Sequence, residues 1–331
     1  MNIIKDIPHG SFRNLAALML LTAATTLAWA QQDYPNRPVR LIVPSSPGGG
    51  TDTTARIISP KLGEGLGQQI IVDNRPGAST IIGMEAVTRA APDGYTLLIG
   101  NSTMTIIPST HIKLRVDPVK GFAAITQVVE LPQILVAHPT FLGKNVRELI
   151  AIAKQRPGQI DYAAGAYGGS GHMAMELFLF MAGIKVNYVP YKSGNAGLAD
   201  VMSGQIQLMM GSVLTILPHV KSGRLRAYGV TGPARSGGTP DIPTIAESGV
   251  RGYKAVQWFG IFAPAGTPRD IVAKLHGRLT NTLQDAEVRK QLISGGADPH
   301  LSKSPEEFTS FVQGEVAKWA KVVKNAGIKR Q

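Results

Sequence analysis

The sequence contains no cysteine among its 331 residues. This absence excludes a disulfide framework, a thiol nucleophile and any metal site built on cysteine. Charged residues make up 17% of the chain and hydrophobic residues 44%, a balance typical of a globular protein with one large or two medium domains. A chain of this length buries enough apolar surface to be stable without cross-links.

Acidic residues are scarce relative to basic ones. The chain has 22 Asp and Glu against 34 Lys and Arg, which gives a formal net charge of +12 and favours acidic ligands or anionic surfaces. The basic residues are spread along the chain, without a basic arm or a recognised nucleic-acid-binding motif. We therefore expect no nucleic acid partner.

Long apolar runs are absent except near the start of the chain. Lys5 and Arg13 give a basic beginning, an apolar stretch follows, and Ala28-Trp29-Ala30 is a small-x-small cleavage pattern. The apolar stretch is shorter than the roughly 20 residues that a membrane-spanning helix needs. We interpret residues 1–30 as a secretory signal peptide cleaved after Ala30. The segment carries a net +1, so the mature chain keeps +11 of the total +12.

Short β-type runs alternate with helical patterns along the rest of the chain. The first series includes VRLIVPS, QQIIVDNRPG and DGYTLLIGN, and a second series of the same kind starts at residue 134. This alternation predicts βαβ units on a mostly parallel sheet. We expect an α/β protein of two lobes, in which residues 31–132 and 255–331 form the first lobe and residues 133–254 form the second. The last helical stretches are expected to pack on the first lobe.

The first predicted helix contains a local conflict. Pro60 removes a backbone hydrogen-bond donor there, and Gly63 and Gly65 weaken the next turn. We expect the helix to kink or to end early at this point.

Two glycine-rich loops each follow a predicted strand and precede a predicted helix. They read SSPGGGTD, residues 45–52, and GAYGGSGH, residues 165–172. Ligands of parallel sheets collect at the carboxyl ends of the strands, where a helix N-terminus offers unpaired N–H groups and a positive dipole end. Two such loops predict a small anion held between two lobes. The alternative for the first loop is a tight turn in which Thr51 and Asp52 only cap the helix.

The sequence partly matches three other motifs, but each match lacks a residue that the motif requires. A phosphate loop needs a lysine after its last glycine, and the first loop has none. Gly169, Gly171 and Ala174 match the loose dinucleotide pattern, but the next strand lacks the acid that would hold a ribose. GGSGH approaches a nucleophile elbow, so a secreted α/β hydrolase that uses Ser170 and His172 is the alternative function, although no triad acid is recognisable. We expect no catalytic residue, no metal and no cofactor.

Several longer segments occur in one order along nearly the whole mature chain. They include PGGGTD, VDNRPGA, AAPDGYTLL, GSGHMAMELF, VPYKSGNAGLADVMSGQIQLM, LPHVKSGRLRAYGVTG and DIPTIAESG. In these segments the chain resembles the periplasmic solute receptors of tripartite tricarboxylate transporters, often called Bug receptors. The resemblance implies a two-lobed periplasmic-binding-protein fold of type II, or Venus-flytrap type. It also implies a cleft that binds a small mono-, di- or tricarboxylate, largely through backbone amides and ordered water.

The resemblance further implies a periplasmic location and delivery of the solute to the membrane subunits of such a transporter. A ligand-sensing module for a membrane regulator stays open as an alternative, because its binding site would look the same. We expect a monomer. The ligand-binding residues that the resemblance implies are Ser46, Gly49, Gly50, Thr51, Asp52, Asn101, Thr103, Tyr167, Gly169, Ser170, His172, Lys192, Ser193 and Ser212.

The second loop departs from the usual pattern of the family. Gly169 stands where the first of two hydroxyl residues is usual, and Tyr167 adds an aromatic ring that can stack on an aromatic ligand or cover the cleft. Lys192 can pair with a carboxylate or point to solvent. Asp52 is the one acid among the expected ligand residues, so a plain mono- or dicarboxylate is favoured over an amino acid.

Overall fold

Ten strands form one mixed sheet in the computed structural model, which describes residues 34–331. The predicted signal peptide lies outside the described residues. The strands are β1 (Val39–Val43), β2 (Ile70–Asn74), β3 (Thr96–Asn101), β4 (Phe122–Ala137), β5 (Asp161–Ala164), β6 (Asn187–Pro190), β7 (Leu208–Ser212), β8 (Arg226–Val230), β9 (Val256–Pro264) and β10 (Asp298–Pro299). Their order across the sheet is β2-β1-β3-β9-β4-β7-β5-β6, and β8 and β10 also pair with β4.

Parallel pairing is confined to two groups of strands. β1 pairs in parallel with β2 and β3, and β5 pairs in parallel with β6 and β7. Between the groups, β9 and β4 run antiparallel to their neighbours. The predicted βαβ units are therefore confirmed in both groups. The middle of the sheet is antiparallel because the chain crosses between the groups in opposite directions along β4 and β9.

The long strand β4 belongs to both halves of the sheet. As far as Pro132 it pairs with β9, and from Gln133 onward it pairs with β7. We call the part built on β1–β3, β9, β10 and the start of β4 lobe 1, and the part built on the end of β4 and β5–β8 lobe 2. The change of partner falls where the sequence analysis divides the chain, although the exact residue limits of the two domains stay a prediction.

Ten α-helices accompany these strands in the described residues. They are α1 (Gly50–Leu66), α2 (Ile81–Thr88), α3 (Thr103–Thr110), α4 (Val146–Gln155), α5 (Ser170–Ala182), α6 (Gly194–Met202), α7 (Val213–Lys221), α8 (Arg269–Gln284), α9 (Ala286–Ser294) and α10 (Pro305–Asn325), and a short 3-10 helix, Ala78–Thr80, precedes α2. None of them combines the length and the apolar character that crossing a membrane requires.

Each lobe has its own buried apolar core. In lobe 1, Trp258 and Phe262 from β9 pack with Phe308 from α10, and the rings of Trp258 and Phe308 meet edge to face at 5.8 Å. The expectation that the last helix packs on the first lobe is confirmed. In lobe 2, Tyr162 and Phe178 are fully buried in a separate cluster. Burying a large apolar side chain contributes about 1.5–3 kcal/mol, so each lobe has a substantial core of its own.

Local sequence signals explain several helix ends. Ser304 caps α10 by accepting a hydrogen bond from Glu307 N at 3.2 Å, as its position before a proline predicts. The predicted helical stretch from residue 269 is divided at Asp285, which caps α9. The expected early end at Pro60 is wrong, since α1 continues to Leu66. Pro60 is exposed, and the buried apolar face of α1 keeps the helix in place.

Candidate functional site

Five helices begin at the wall of one cavity of about 210 Å³ between the lobes. Helices α1 and α3 come from lobe 1, and α5, α6 and α7 come from lobe 2. The wall contains the first residue of four of these helices, and Ser212 just before the fifth. Helix N-termini carry unpaired N–H donors and a partial positive charge. The cavity wall therefore includes the positive ends of five helices, although Thr103 N of α3 and Ala196 N of α6 are already bonded to Asn101 and Ser193.

The first glycine-rich loop leaves the N-terminus of α1 open to the cavity. The N-cap residue is Gly49, and no side chain caps the helix. Gly49 N is bonded to Ser46 O at 3.1 Å, which holds the turn. The N–H groups of Gly50 and Thr51 lie in the first helical turn, where no helical carbonyl can reach them. These backbone donors are available to an anion.

Asp52 supports the first loop by hydrogen bonds and does not line the cavity. Only 2% of its surface is exposed. Its carboxylate accepts hydrogen bonds from Gly48 N at 2.8 Å, Arg56 Nε at 3.0 Å and Asn74 Nδ2 at 2.9 Å. Burial would raise the pKa of Asp52, but these three donors outweigh it and lower the pKa below its usual value. A charged Asp52 therefore fixes the shape of the first loop.

The second glycine-rich loop repeats the arrangement at α5. Gly169 is the N-cap residue, again without a side-chain cap. Ser170 N donates to Thr103 Oγ1 of lobe 1 at 3.2 Å. The first-turn N–H groups of Gly171 and His172 follow it, and both residues belong to the cavity wall. Open helix starts from both lobes thus face the same cavity.

Two buried glutamines, which the sequence analysis did not identify, complete the wall. Gln133 is 2% exposed on β4, and Gln257 is 8% exposed on β9. Gln133 Nε2 donates to Ser170 O at 3.1 Å, and Gln257 Nε2 donates to Ser170 Oγ at 2.6 Å. The chain crosses between the lobes at these two strands. The glutamines therefore fix the start of α5 relative to β4 and β9.

Several wall residues carry buried side-chain atoms without a hydrogen-bond partner in the described residues. They are Ser45 Oγ, Gln133 Oε1, Ser212 Oγ and Gln257 Oε1. Native proteins pair almost all their buried polar groups, and clusters of exceptions often mark functional sites. The cluster therefore supports a functional role for the cavity.

Gly50 permits a close approach of the two lobes at the cavity. A Cβ atom at this position would lie 2.3 Å from Ser212 Oγ, which is too close for any side chain. Ser212 ends β7 of lobe 2, whereas Gly50 begins α1 of lobe 1. The absence of a side chain at Gly50 allows α1 to meet the opposite lobe directly.

The structure places most of the expected ligand residues in the cavity wall, apart from Asp52 and Tyr167. The residues present there are Ser46, Gly49, Gly50, Thr51, Asn101, Thr103, Gly169, Ser170, His172, Lys192, Ser193 and Ser212. Tyr167 packs instead on His172, with ring centroids 4.7 Å apart, so its stacking on a ligand is not supported. Lys192 is exposed at the rim, and Ser193 caps α6 by accepting from Ala196 N. Direct contact of these wall residues with a ligand stays a prediction.

The geometry does not assemble a hydrolase from Ser170 and His172. No hydrogen bond joins the two side chains among residues 34–331. His172 Nδ1 accepts from Gly168 N at 3.2 Å, and Nε2 lies 3.9 Å from Glu176 Oε1. Burial lowers the pKa of His172 to about 4. A neutral histidine whose acceptor is already occupied cannot take a proton from Ser170.

The charges around the cavity define its chemistry further. None of the described wall residues is acidic, and the cation at the rim is Lys192. Residues 34–331 also contain no group of three or more metal-ligating His, Cys, Asp or Glu side chains. A two-lobed α/β protein with such a cavity belongs to the class of binding proteins that hold a small solute between their lobes.

Comparison with known proteins confirms this class. Residues 54–328 match the tripartite tricarboxylate transporter family receptor, TctC, and the chain belongs to this family of periplasmic solute receptors. Protein BugT of Bordetella pertussis is 33% identical over 318 residues, which cover 94% of this chain and 96% of BugT. The resemblance identified in the sequence is therefore confirmed.

Solved structures show the same fold. The R. palustris protein Rpa4515 with adipate has a TM-score of 0.87 and 34% sequence identity, covering 90% of this chain and all of that one. MatC (Rpa3494) from Rhodopseudomonas palustris with bound malate has a TM-score of 0.80 and 30% identity, covering 88% of this chain and all of that one. Both structures hold a carboxylate, adipate in one and malate in the other. The family match makes this chain a solute-binding receptor, and its predicted fold is confirmed.

Proposed function

We propose that the protein captures a short aliphatic carboxylate in the cavity and delivers it to the membrane subunits of a tripartite tricarboxylate transporter. The observation that carries the proposal is the pair of glycine-capped helix starts, α1 and α5, which face the same cavity from opposite lobes. A carboxylate between them accepts hydrogen bonds from both lobes and so favours the closed form. Backbone N–H groups at helix starts are common anion sites.

The cavity wall favours an aliphatic ligand over an aromatic one. None of the described wall residues is Phe, Tyr or Trp. The apolar side chains present are those of Met209, Met210, Ile216 and prolines such as Pro44. At about 210 Å³ the cavity is smaller than the roughly 300–1,000 Å³ typical of sites for drug-sized ligands, which disfavours nucleotides and large ring systems.

A dicarboxylate suits the site better than a monocarboxylate. One carboxylate is held by the two helix starts, and Lys192 at the rim provides a cation for a second. The adipate of Rpa4515 and the malate of MatC are both dicarboxylates. Without an acidic residue among the described wall residues, the ammonium group of an amino acid has no charged partner in the cavity. We further propose that the receptor acts as a monomer after cleavage behind Ala30.

The experiment that tests this proposal is isothermal titration calorimetry. The mature protein, residues 31–331, is unfolded and refolded to remove co-purified solute, and is then titrated with malate, adipate, hexanoate, citrate, benzoate and glutamate. We expect malate and adipate to bind most tightly, and benzoate and the amino acid glutamate to bind weakly or not at all. Failure of every carboxylate to bind would refute the proposal.

Gly50→Val and Gly65→Val give a matched pair of variants for the same titration. Valine at position 50 blocks the open helix start and collides with Ser212, so we expect no measurable binding by a folded protein. Gly65 lies on the exposed side of the same helix, and a Cβ there meets only Arg278 Cδ at 3.7 Å. The position 65 variant should bind like the parent protein, whereas binding by both variants would contradict the assigned site.

Delivery to the transporter needs a separate measurement. Immobilised mature receptor, loaded with the best ligand of the titration, is incubated with detergent-solubilised membranes of the source organism. We expect membrane subunits of a tripartite transporter to be retained, and retained less by the Gly50→Val variant. Retention of a sensor protein instead would favour the ligand-sensing alternative.

A further inference from the structure

Tyr167 lies outside the cavity, at the place where the second glycine-rich loop meets lobe 1. Its hydroxyl donates a hydrogen bond to Lys329 O, 2.6 Å away. Its own carbonyl oxygen accepts a hydrogen bond from Ser79 Oγ, 2.9 Å away. Ser79 precedes α2 and Lys329 follows α10, so both partners belong to lobe 1. One residue of the second loop is thus bonded to the opposite lobe through both its side chain and its backbone.

The acceptor at Lys329 is held in place by the rest of its segment. We call residues 328–331 the C-terminal tail. Gln331 N donates to Thr110 O at 2.9 Å, and Ile112 N donates to Gln331 O at 2.7 Å. This pair of backbone hydrogen bonds attaches the tail to the end of α3. The tail therefore offers Tyr167 a fixed acceptor on lobe 1.

The residue after Tyr167 touches lobe 1 as well. Gly168 has a φ of +72°, a conformation that glycine adopts readily. A Cβ at Gly168 would lie 2.3 Å from Thr110 Oγ1, the same residue whose carbonyl oxygen holds the tail. The backbone of the second loop therefore packs directly on α3.

The contact also reaches the ligand-facing end of α5. Gly168 N donates to His172 Nδ1 at 3.2 Å, and the rings of Tyr167 and His172 lie 4.7 Å apart. His172 is in the first turn of α5, whose N–H groups face the cavity. Any displacement of Tyr167 would thus be transmitted through His172 to the open helix start.

We propose that Tyr167 and the C-terminal tail form a latch between the lobes, which keeps the closed receptor shut on its solute without touching the solute. Tyr167 is accordingly a positioning residue. This inference rests on the proposed function, since it concerns release of the same ligand. The latch forms whenever the lobes meet, with or without solute, so its loss speeds the opening of the closed complex and leaves the encounter with the ligand unchanged.

Tyr167→Phe removes the latch hydroxyl and keeps the ring on His172. The matched control is Tyr188→Phe, because the Tyr188 hydroxyl donates to Gly165 O of the same loop at 2.7 Å but stays within lobe 2. Stopped-flow measurements with malate and adipate should show a dissociation rate about 3- to 10-fold higher for Tyr167→Phe, the effect of one hydrogen bond, and an unchanged association rate. Equal acceleration by both variants would assign the effect to the loop itself and overturn the latch.

Removal of the tail gives an independent second test. A chain that stops at Ile328 lacks the acceptor for Tyr167 and should release its ligand as fast as Tyr167→Phe does. Combining the two changes should add little, because both remove the same hydrogen bond. Fully additive rate increases would show that Tyr167 and the tail act separately, which contradicts the proposal.

The latch can also be tested without any ligand. This test can refute the latch even if the proposed carboxylate binding is confirmed. Hydrogen–deuterium exchange of the Ile112 and Gln331 amides reports on the attachment of the tail. We expect Tyr167→Phe to accelerate their exchange about 3- to 10-fold in the ligand-free protein, with no change in Tyr188→Phe. Unchanged exchange in Tyr167→Phe would overturn the latch even if carboxylate binding is confirmed.

Discussion

Gln257 Nε2 lies 2.6 Å from Ser170 Oγ and donates a hydrogen bond to it. Gln257 is on β9, one of the two strands that cross between the lobes, and Ser170 is the first residue of α5. The start of a helix that lines the cavity from lobe 2 is thus bonded to a strand of lobe 1.

This relationship predicts the effect of Gln257→Leu. The substitution leaves Ser170 Oγ without its partner and loosens the start of α5, so ligand affinity should fall by about 1–3 kcal/mol. Calorimetric titration with the best dicarboxylate measures the change. Gln127→Leu is the matched control, because Gln127 is a buried glutamine on β4 whose Nε2 donates to Val129 O, away from the cavity wall. Gln127→Leu should lower the stability of the protein without changing its ligand affinity. An equal loss of affinity in both variants would contradict the role of Gln257.

Asp52→Asn should weaken binding although Asp52 does not line the cavity. Replacing the carboxylate removes a charge-assisted bond from Arg56 and reduces the hold on Gly48, at a cost of about 1–3 kcal/mol in the free energy of unfolding. Because the pKa of Asp52 is lowered in the folded protein, its contribution is present above the unfolded value of 3.8 and is lost as pH falls. Urea denaturation measures the loss of stability, and calorimetric titration measures the loss of ligand affinity. Asp73→Asn, which breaks exposed ion pairs with Arg40 and Arg75, should cost less than about 1 kcal/mol.

Lys192→Gln should distinguish a dicarboxylate from a monocarboxylate. If Lys192 attracts the second carboxylate at the exposed rim, its loss should weaken adipate binding by about 0.2–1 kcal/mol, mostly at low salt. Binding of hexanoate, which has the same chain length and one carboxylate, should not change. Lys185→Gln is the control, since Lys185 is an exposed lysine of lobe 2 outside the cavity wall. Equal losses for adipate and hexanoate would place Lys192 beside the first carboxylate instead.

His172 should make the protein less stable in mild acid. Burial lowers its pKa to about 4 from the ordinary value of 6.5, so between these values the unfolded chain binds a proton that the folded protein does not. The free energy of unfolding therefore falls as pH decreases from 6.5 to 4, by up to about 3 kcal/mol from this residue. Denaturation at several pH values should show this slope reduced in His172→Gln and kept in His300→Gln, whose side chain is half exposed. An unchanged slope in His172→Gln would show that His172 is accessible to protons.

Local signals in the sequence predicted the main elements and placed two glycine-rich loops at a candidate site. Glycines followed by Thr51 and by Ser170 indicated two open helix starts, and the structure brings both to one cavity. Ser304 indicated the start of the last helix, which the structure confirms. Such signals are readable because capping and backbone conformation depend on neighbouring residues.

Pro60 shows the limit of local reasoning within a single helix. The missing donor at Pro60 predicted a kink or an early end of α1. The helix does not end there but continues to Leu66, because burial of side chains such as Ile58 and Leu62 outweighs the local penalty. Burial of a helix face depends on the rest of the fold, which a short sequence pattern does not contain.

The sequence by itself determined the α/β class, the two glycine-rich loops that precede helices, and the family of the chain. Only the tertiary structure decided that Gln133 and Gln257 complete the cavity wall, that Asp52 supports the first loop from outside the cavity, and that Tyr167 contacts the C-terminal tail instead of lining the cavity. These contacts join residues between 22 and 162 positions apart along the chain. Contacts over such separations depend on how the two lobes pack, and no local pattern of residue types specifies that packing.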